Sequence, residues 1–437
     1  MIFKCAYLIL GCALSSLKEY EAFSHCAPQQ VHLSLTDNVD SMYVTWASNY
    51  RCEGKGIVKY WESDNSPATN ASQNVVKVDQ YLHVDEGNTT RTRMGYTFRT
   101  KMTYLKPNMT YNYVVGIFKK PQKVVWSKKF KFKTFPTDVN WTPTILLLAD
   151  MGTDNAQAWP FIVEDALKSV DVIIHIGDFA YDLDRYIGHN GDRFMNMIEP
   201  VASQIPYMPV PGNHEGHVNF SEYFNRFTTS GPRSLFYSID VGPFHLVMLN
   251  SAFYFKVKYG FDQILTQYNW LRKDLEKANK SRKQQKWVIT FAHRAMYTTS
   301  KDKIKGPQPE RIRVGFDHFP GFEKLFYENN VDACFWGHEH NYERFYPIYN
   351  YIYNISENKN VYENFEGIPH FIVGNAGARE PLTPFDKIHP PWSAVRKSSY
   401  GYAKLTNLNS TTLYLRAYGI HKLNYTRFLM DHVTIKY

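Results

Sequence analysis

Cysteine is scarce in this chain, with five among 437 residues. Cys5 and Cys12 fall in the leading apolar stretch, which leaves Cys26, Cys52 and Cys334. So few thiols exclude a disulfide scaffold, and the fold must rest on a hydrophobic core. Cys26 and Cys52 are the pair available for a disulfide in the N-terminal part, whereas Cys334 sits in an apolar run and reads as a packed thiol. Long hydrophobic runs are missing too. The stretch Cys5–Leu14 is too short to span a bilayer, and no later run is long enough. With Lys4 just before it and the small residues Ala13, Ser15 and Ser16 near its end, it reads as the core of a signal peptide covering residues 1–17. The terminal Val433-Thr434-Ile435-Lys436-Tyr437 lacks a lipid-anchor tail and a retention tetrapeptide. No repeat of solenoid length is present. No basic run is interleaved with aromatics, so nucleic acid is not an expected partner. The net charge of +9 fits a basic surface that raises the local concentration of anionic substrates.

What is abundant points outward from the cell. Asn70, Asn88, Asn108, Asn140, Asn219, Asn279, Asn354, Asn409 and Asn424 each open Asn-x-Ser/Thr without an intervening proline. That density predicts a secreted glycoprotein, extracellular or lysosomal, carrying N-glycans at several of these sites.

The chain changes period near its first third. Val31-His32-Leu33-Ser34-Leu35, Met42-Tyr43-Val44-Thr45-Trp46, Thr110–Val115 and Lys129–Phe135 alternate apolar and polar residues, as strands with one solvated face do. Residues 24–135 therefore read as an all-β sandwich of fibronectin-III type, with Trp46 as its core tryptophan and Phe135–Asp138 as a linker. From Thr144 onward strands alternate with helices, expected over Ala156–Ser169, Gly191–Ser203, Asp262–Asn279 and Asp317–Asn329. The Lys-, Pro- and Arg-rich residues 299–316 read as a mobile surface loop. A catalytic domain over 141–355 is expected to be completed by a C-terminal segment, 356–437.

Five short apolar runs each end in a polar cluster. Thr144–Ala149 leads to Asp150-Met151-Gly152, and Val172–Ile176 to Gly177-Asp178-Phe179-Ala180-Tyr181. Pro206–Val210 leads to Gly212-Asn213-His214-Glu215, Trp287–Phe291 to Ala292-His293, and Ala333–Trp336 to Gly337-His338-Glu339-His340. Such runs read as buried strands, and sites in open α/β sheets form just past the carboxyl ends of strands. Together the tips offer two carboxylates, one phenol, one amide oxygen and three imidazoles: Asp150, Asp178, Tyr181, Asn213, His293, His338 and His340. Oxygen and nitrogen donors without thiolate suit iron, manganese and zinc. Seven donors exceed one tetrahedral site but suffice for two metals if one carboxylate bridges.

The ordered set resembles the metallophosphoesterase superfamily, and within it the purple acid phosphatases in their long animal form. Most of the superfamily opens with Asp-x-His; here Gly152 takes the histidine's place, and Tyr181, three residues after Asp178, is the replacement donor. The resemblance covers residues 141–436 well and 24–135 more loosely. It implies a fold of two mixed sheets flanked by helices, preceded by the β-sandwich. It also implies that Asp150, Tyr181 and His340 hold iron(III), that Asn213, His293 and His338 hold divalent iron, zinc or manganese, and that Asp178 bridges. A trivalent ion lowers the pKa of bound water further than a divalent one, which suits an acid phosphatase.

The expected reaction is hydrolysis of phosphate monoesters, small molecules or phosphoproteins, by in-line attack of a metal-bound hydroxide without a phosphoenzyme. His214, next to Asn213, is the expected acid that protonates the leaving alkoxide. Plant-type relatives carry paired histidines after the His293 motif; here Arg294–Lys303 contains none, and Lys301 and Lys303 are the available cations. His217 has no assigned role. Phosphodiesterase or nucleotidase chemistry on the same metals, and a non-catalytic metal-binding glycoprotein, are the competing readings.

Overall fold

The computed structural model describes residues 26–48, 54–63, 71–85, 88–120, 123–138, 140–229, 235–255, 260–282, 287–301, 303, 306–355 and 357–436. The expected signal peptide, Cys52 and the sequon at Asn70 lie outside them. Cys26 is disulfide-bonded, and Cys334 is a buried free thiol.

The N-terminal alternation builds two antiparallel sheets. One runs in the order Gln29–Leu35, Met42–Ser48, Asn88–Met102, Asp79–Asp85. The other runs Ser72–Lys77, Lys55–Glu62, Thr110–Lys120, Lys123–Trp126, with Phe130–Lys133 also paired to Thr110–Lys120. Every second residue faces the partner sheet, so Val31, Leu33, Val44, Trp46, Val58, Phe98 and Tyr113 are buried between them. Trp46 stacks on Phe98 with ring centroids 5.4 Å apart.

Two seven-stranded mixed sheets follow. The first is ordered Tyr207–Val210, Val172–Ile176, Thr144–Leu148, Gly401–Asn409, Thr412–Ile420, Arg427–Lys436, Val361–Glu363. The second is ordered Tyr237–Val241, Phe244–Leu249, Trp287–Ala292, Ala333–Trp336, His370–Val373, Tyr342–Phe345, Ser393–Lys397. Within each, a parallel block carries the polar tips. Alternation assigns the faces: Ile145, Leu147, Val172, Ile174, Ile289 and Phe291 belong to one apolar cluster. Leu146, Leu148, Ile173 and Val288 join the other, together with residues of the helices Trp159–Ser169, His189–Ala202 and Asp262–Lys280. Both faces of the parallel block are therefore apolar, which is why these strands read as continuous hydrophobic runs. Trp270 is half-buried and packs against this second cluster.

Two expectations are corrected. The helix expected over Asp317–Asn329 is only Glu323–Glu328, preceded by the small ladder of Gly315–Phe316 with Phe319–Pro320. Pro320 and Gly321 stop a helix from starting earlier. The expected loop 299–316 contains the helix Pro307–Arg313, begun by its prolines, and Thr298, Thr299 and Ser300 are buried. Arg313 anchors it through Glu323 at 2.6 Å and Glu310 at 2.7 Å. Among the described residues no helix is long and apolar enough to cross a membrane.

The sandwich docks on the helical layer of the first sheet. Tyr113 Oη donates to Ser203 O at 2.6 Å, Val31 N to Glu199 Oε2 at 3.1 Å, and Arg99 to the carbonyls of Phe224 and Asn225. At the far edge, Arg344 of one sheet meets Asp431 of the other in a bidentate pair, Nε to Oδ2 at 2.7 Å and Nη2 to Oδ1 at 3.0 Å. Both are buried, and Tyr362 Oη accepts from Arg344 Nη1 at 2.7 Å. Removing one partner strands the other charge in the core. Arg344→Ala is expected to cost about 3–5 kcal/mol of unfolding free energy in denaturant titration. A loss under about 1 kcal/mol would show that Asp431 finds water or another partner instead.

Candidate active site

The polar tips converge. Asp150, Asp178 and Asn213 leave the parallel strands of the first sheet, while His293, His338 and His340 leave those of the second. Tyr181 follows the two-residue strand Phe179–Ala180, which pairs with Met151–Gly152. The tips form a crater of about 370 Å³ lined by Asp178, Asn213, His214, Lys303, His338 and His340, with the 380–384 segment as its far wall. A larger cleft of about 860 Å³ runs along residues 135–142 and 407–410 and holds none of the seven donors.

The donors fall into two groups. Asp178, His293 and His338 present atoms that all lie within 4.8 Å of one another. Nε2 of His293 is 2.9 Å from Oδ2 of Asp178. The Oδ1 of Asn213 is buried there without a hydrogen-bond partner. A buried amide oxygen left unsatisfied is costly, and a cation removes the cost. His293 is fixed by its other nitrogen, Nδ1, on Ile176 O at 2.8 Å. In the second group, Tyr181 Oη donates to Asp150 Oδ1 at 2.9 Å and lies 2.7 Å from His340 Nε2, which is 3.5 Å from Asp150 Oδ1. Asp150 Oδ2 accepts from His338 N at 2.8 Å. Asp150 and Asp178 join the groups, with His293 Nε2 4.0 Å from Asp150 Oδ1. The set fits two metal ions of the hard or borderline kind.

Electrostatics point the same way. Burial pushes the Asp178 carboxyl up, but the imidazoles of His293 and His214 outweigh it and hold it below the usual range. Burial lowers His293, and Asp178 and Asp150 overcome that, pushing it up to about 9. Burial and Asp150 raise the Tyr181 phenol well above its ordinary value, so a phenolate there needs a highly charged cation within reach.

His214 stands beside these donors, about one-fifth exposed at its side chain. Its backbone N donates to Asp178 Oδ1 at 2.9 Å, its Nδ1 is hydrogen-bonded to Asp182, and its Nε2 faces Asp178 Oδ2 at 3.8 Å. Burial lowers its pKa, and Asp178 and Asp182 together push it up to about 10. His217 lies next to it, with Nδ1 3.2 Å from Asp184 Oδ1. Lys303 lines the crater and is tied to Glu339 at 2.8 Å and 3.0 Å, whereas Lys301 is exposed.

The structure brings all seven expected donors and His214 together. It also gives positioning roles to Glu215, the last residue of its motif, and to Asp182. Glu215 accepts from the backbone N of Asp178, Phe179 and Gly212 at 2.8, 2.9 and 2.7 Å, knotting two of the tips. Asp182 holds His214, and its position directly after Tyr181 was the only available hint.

Comparison with known proteins places a phosphoesterase scaffold under this crater. Residues 143–342 match the calcineurin-like phosphoesterase family. Residues 28–134 match the purple acid phosphatase N-terminal domain, and 367–422 the iron/zinc purple acid phosphatase-like C-terminal family. A metal-dependent phosphoesterase is the class thus defined. The chain is 37% identical to acid phosphatase type 7 of Mus musculus over 419 residues, 95% of this chain and 92% of that protein. With the Homo sapiens acid phosphatase type 7 it shares 38% over 394 residues, 89% and 87% of the two chains. A purple acid phosphatase from yellow lupin (Lupinus luteus) seeds has the same fold, with a TM-score of 0.77 over 94% of this chain and 74% of that one at 24% identity. The chain belongs to the purple acid phosphatases, acid phosphatases whose iron/zinc family implies a dinuclear metal site.

Behind the crater, Glu343 is buried and accepts from Thr299 N at 2.9 Å, Thr299 Oγ1 and Ser393 Oγ at 2.6 Å. Burial outweighs these bonds and raises its carboxyl to about 7. The folded state therefore keeps a proton that the unfolded chain releases near its ordinary value of about 4.3. This contribution is full at low pH and is lost as pH rises to about 7, amounting to about 3 kcal/mol. Unfolding titrations from about pH 4 to 7 should show the advantage of the parent over Glu343→Gln shrinking by about that amount. A pH-independent difference would mean that Glu343 is ionised in the fold.

Proposed function

We propose that this is a secreted acid phosphatase that hydrolyses phosphate monoesters by in-line attack of water, without a phosphoenzyme. Asp150, Tyr181 and His340 would hold iron(III), Asn213, His293 and His338 would hold divalent iron, zinc or manganese, and Asp178 would serve both. The observation that carries this reading is the convergence of the seven donors in two adjoining groups, with the buried Oδ1 of Asn213 unsatisfied. Bound there, the metals supply Lewis acidity to the phosphate and make water nucleophilic at acidic pH.

The protein's own groups do the rest. Asp182 engages Nδ1 of His214, which leaves Nε2 aimed into the crater as the proton donor to the leaving alkoxide. Lys303 and Arg294 add positive charge near an anionic ester, and Glu339 keeps the Lys303 ammonium at the crater edge. Glu215 keeps Asp178 and Asn213 in register through three backbone donors. Secretion, to the outside or to a lysosome, is supported by the leading apolar segment and by sequon exposure. Asn108, Asn140, Asn219, Asn354, Asn409 and Asn424 are exposed, whereas Asn279 is half-buried and its Nδ2 donates to Asn329 at 3.2 Å.

The deciding measurement is a visible absorption spectrum with metal analysis on the same sample. A broad purple or pink band with two metals per chain, one of them iron, is expected; a colourless two-metal protein would remove Tyr181 and iron(III) from the assignment. His214→Ala should keep that band and lose at least about tenfold in turnover, a small share of the usual general-acid contribution. An unchanged rate would take His214 out of the mechanism.

A further inference from the structure

The segment that joins Tyr181 to the helix His189–Ala202 is wound against its own preference. Ala180, Tyr181, Tyr186 and Ile187 have φ of 64°, 47°, 57° and 51°, and Gly188 has 81°. Left-handed backbone is sterically disfavoured for a non-glycine residue, and a β-branched residue such as Ile187 is rarely found there. Such conformations persist only where the surroundings over-determine them. This segment carries Asp182 and Asp184, which lie against His214 and His217.

Inside the segment Arg185 N bonds to Asp182 O at 3.4 Å, Gly188 N to Asp184 O at 2.8 Å and Gly191 N to Leu183 O at 3.2 Å, and Asn190 of the following helix donates through Nδ2 to Ala180 O at 2.9 Å and Asp182 O at 3.0 Å. The carbonyls of Ile187 and Gly188 are held in addition by two guanidinium groups. Arg226 Nη2 donates to Gly188 O at 2.7 Å. Arg93 Nε donates to Ile187 O at 3.0 Å while its Nη2 meets Asp192 Oδ2 at 2.6 Å. Arg93 belongs to Asn88–Met102 of the N-terminal sandwich, a different module from the segment it grips. His83 of the same sandwich packs so tightly on Gly188 that a Cβ there would come within 2.2 Å of its Nδ1. That imidazole is 2.9 Å from Glu222 Oε1, and Glu222 Oε2 accepts from Arg226 Nε at 3.0 Å. The two guanidiniums therefore belong to one buried network that crosses the module boundary.

We propose that the N-terminal sandwich is a working part of the active site. Arg93, backed by His83, is a positioning residue that holds the 182–188 segment in its strained form. Asp182 is thereby presented to His214, and proton delivery to the leaving group depends on the sandwich. The inference rests on the reading of His214 as proton donor, and its consequence is specific: a leaving group that departs without a proton should not notice the brace.

The test compares Arg93→Ala with Arg99→Ala in the full metal-loaded chain. Arg99 lies on the same module boundary and donates to Phe224 O and Asn225 O, away from the segment. Hydrogen exchange reads the brace without turnover. The Gly188 and Gly191 amides should exchange at least about tenfold faster in Arg93→Ala and unchanged in Arg99→Ala. With metal content held, kcat/KM for an alkyl phosphate should fall about tenfold in Arg93→Ala, against less than about threefold for 4-nitrophenyl phosphate. Arg93→Lys keeps the charge but cannot span both acceptors, so it should fall between, and it serves if the alanine variant misfolds. Unchanged exchange in the segment, or equal losses on both esters, would overturn the brace. A parent chain that turns over neither ester would instead count against the phosphatase reading and leave the exchange result to decide the brace.

Discussion

Everything in the catalytic half depends on two glycines that let two sheets touch. Gly177 precedes Asp178 and Gly212 precedes Asn213. A Cβ on Gly177 would sit 2.5 Å from His293 Nδ1 and 2.8 Å from the Cα of Gly212. A Cβ on Gly212 would sit 2.2 Å from Oδ1 of Asp178. The tips of one sheet can therefore meet those of the other only where both side chains are missing. Gly177, with φ of 84°, also supplies the left-handed turn that swings Asp178 into the gap. That close approach sets Asp178 Oδ2 2.9 Å from Nε2 of His293.

The burial that makes the strands also sets the chemistry. Because both faces of the parallel blocks are covered, their tips open into a low-dielectric pit where charges act strongly on one another. Asp178 is drawn toward ionisation by the imidazoles around it, after burial has pushed it the other way. Glu343 has the Arg396 guanidinium 3.8 Å away and three hydrogen bonds, yet burial outweighs them and pushes it toward protonation. Two buried carboxyls in one half of the molecule thus take opposite states, and the charges around each, not its residue type, decide which.

The parts of this architecture legible in the sequence are those written in one strand or one turn. Apolar runs of strand length located Thr144–Leu148, Val172–Ile176, Trp287–Ala292 and Ala333–Trp336, and the polar residue after each run located the crater. Alternation located the sandwich and its Trp46. What could not be read was pairing at a distance. Asp182 and His214 are 32 residues apart, and Arg93 and Ile187 are 94. Neither pair leaves a periodic trace. The stretch 299–316 looked loose because it is rich in Lys, Pro and Arg, yet Pro307–Arg313 within it is a helix, and Arg313 turns inward to Glu310 and Glu323. Composition describes what a segment would do alone, and these residues are not alone.

The strand Gly401–Asn409 lies antiparallel to Thr144–Leu148, Thr144 opposite Thr406, in the middle of the first sheet. During synthesis the strand that carries Asp150 therefore waits, one edge open, until some 260 further residues have left the ribosome. A sandwich of short-range strand pairs can close long before that. The N-terminal module is then the first folded surface the growing chain meets, and the catalytic sheets are completed against it.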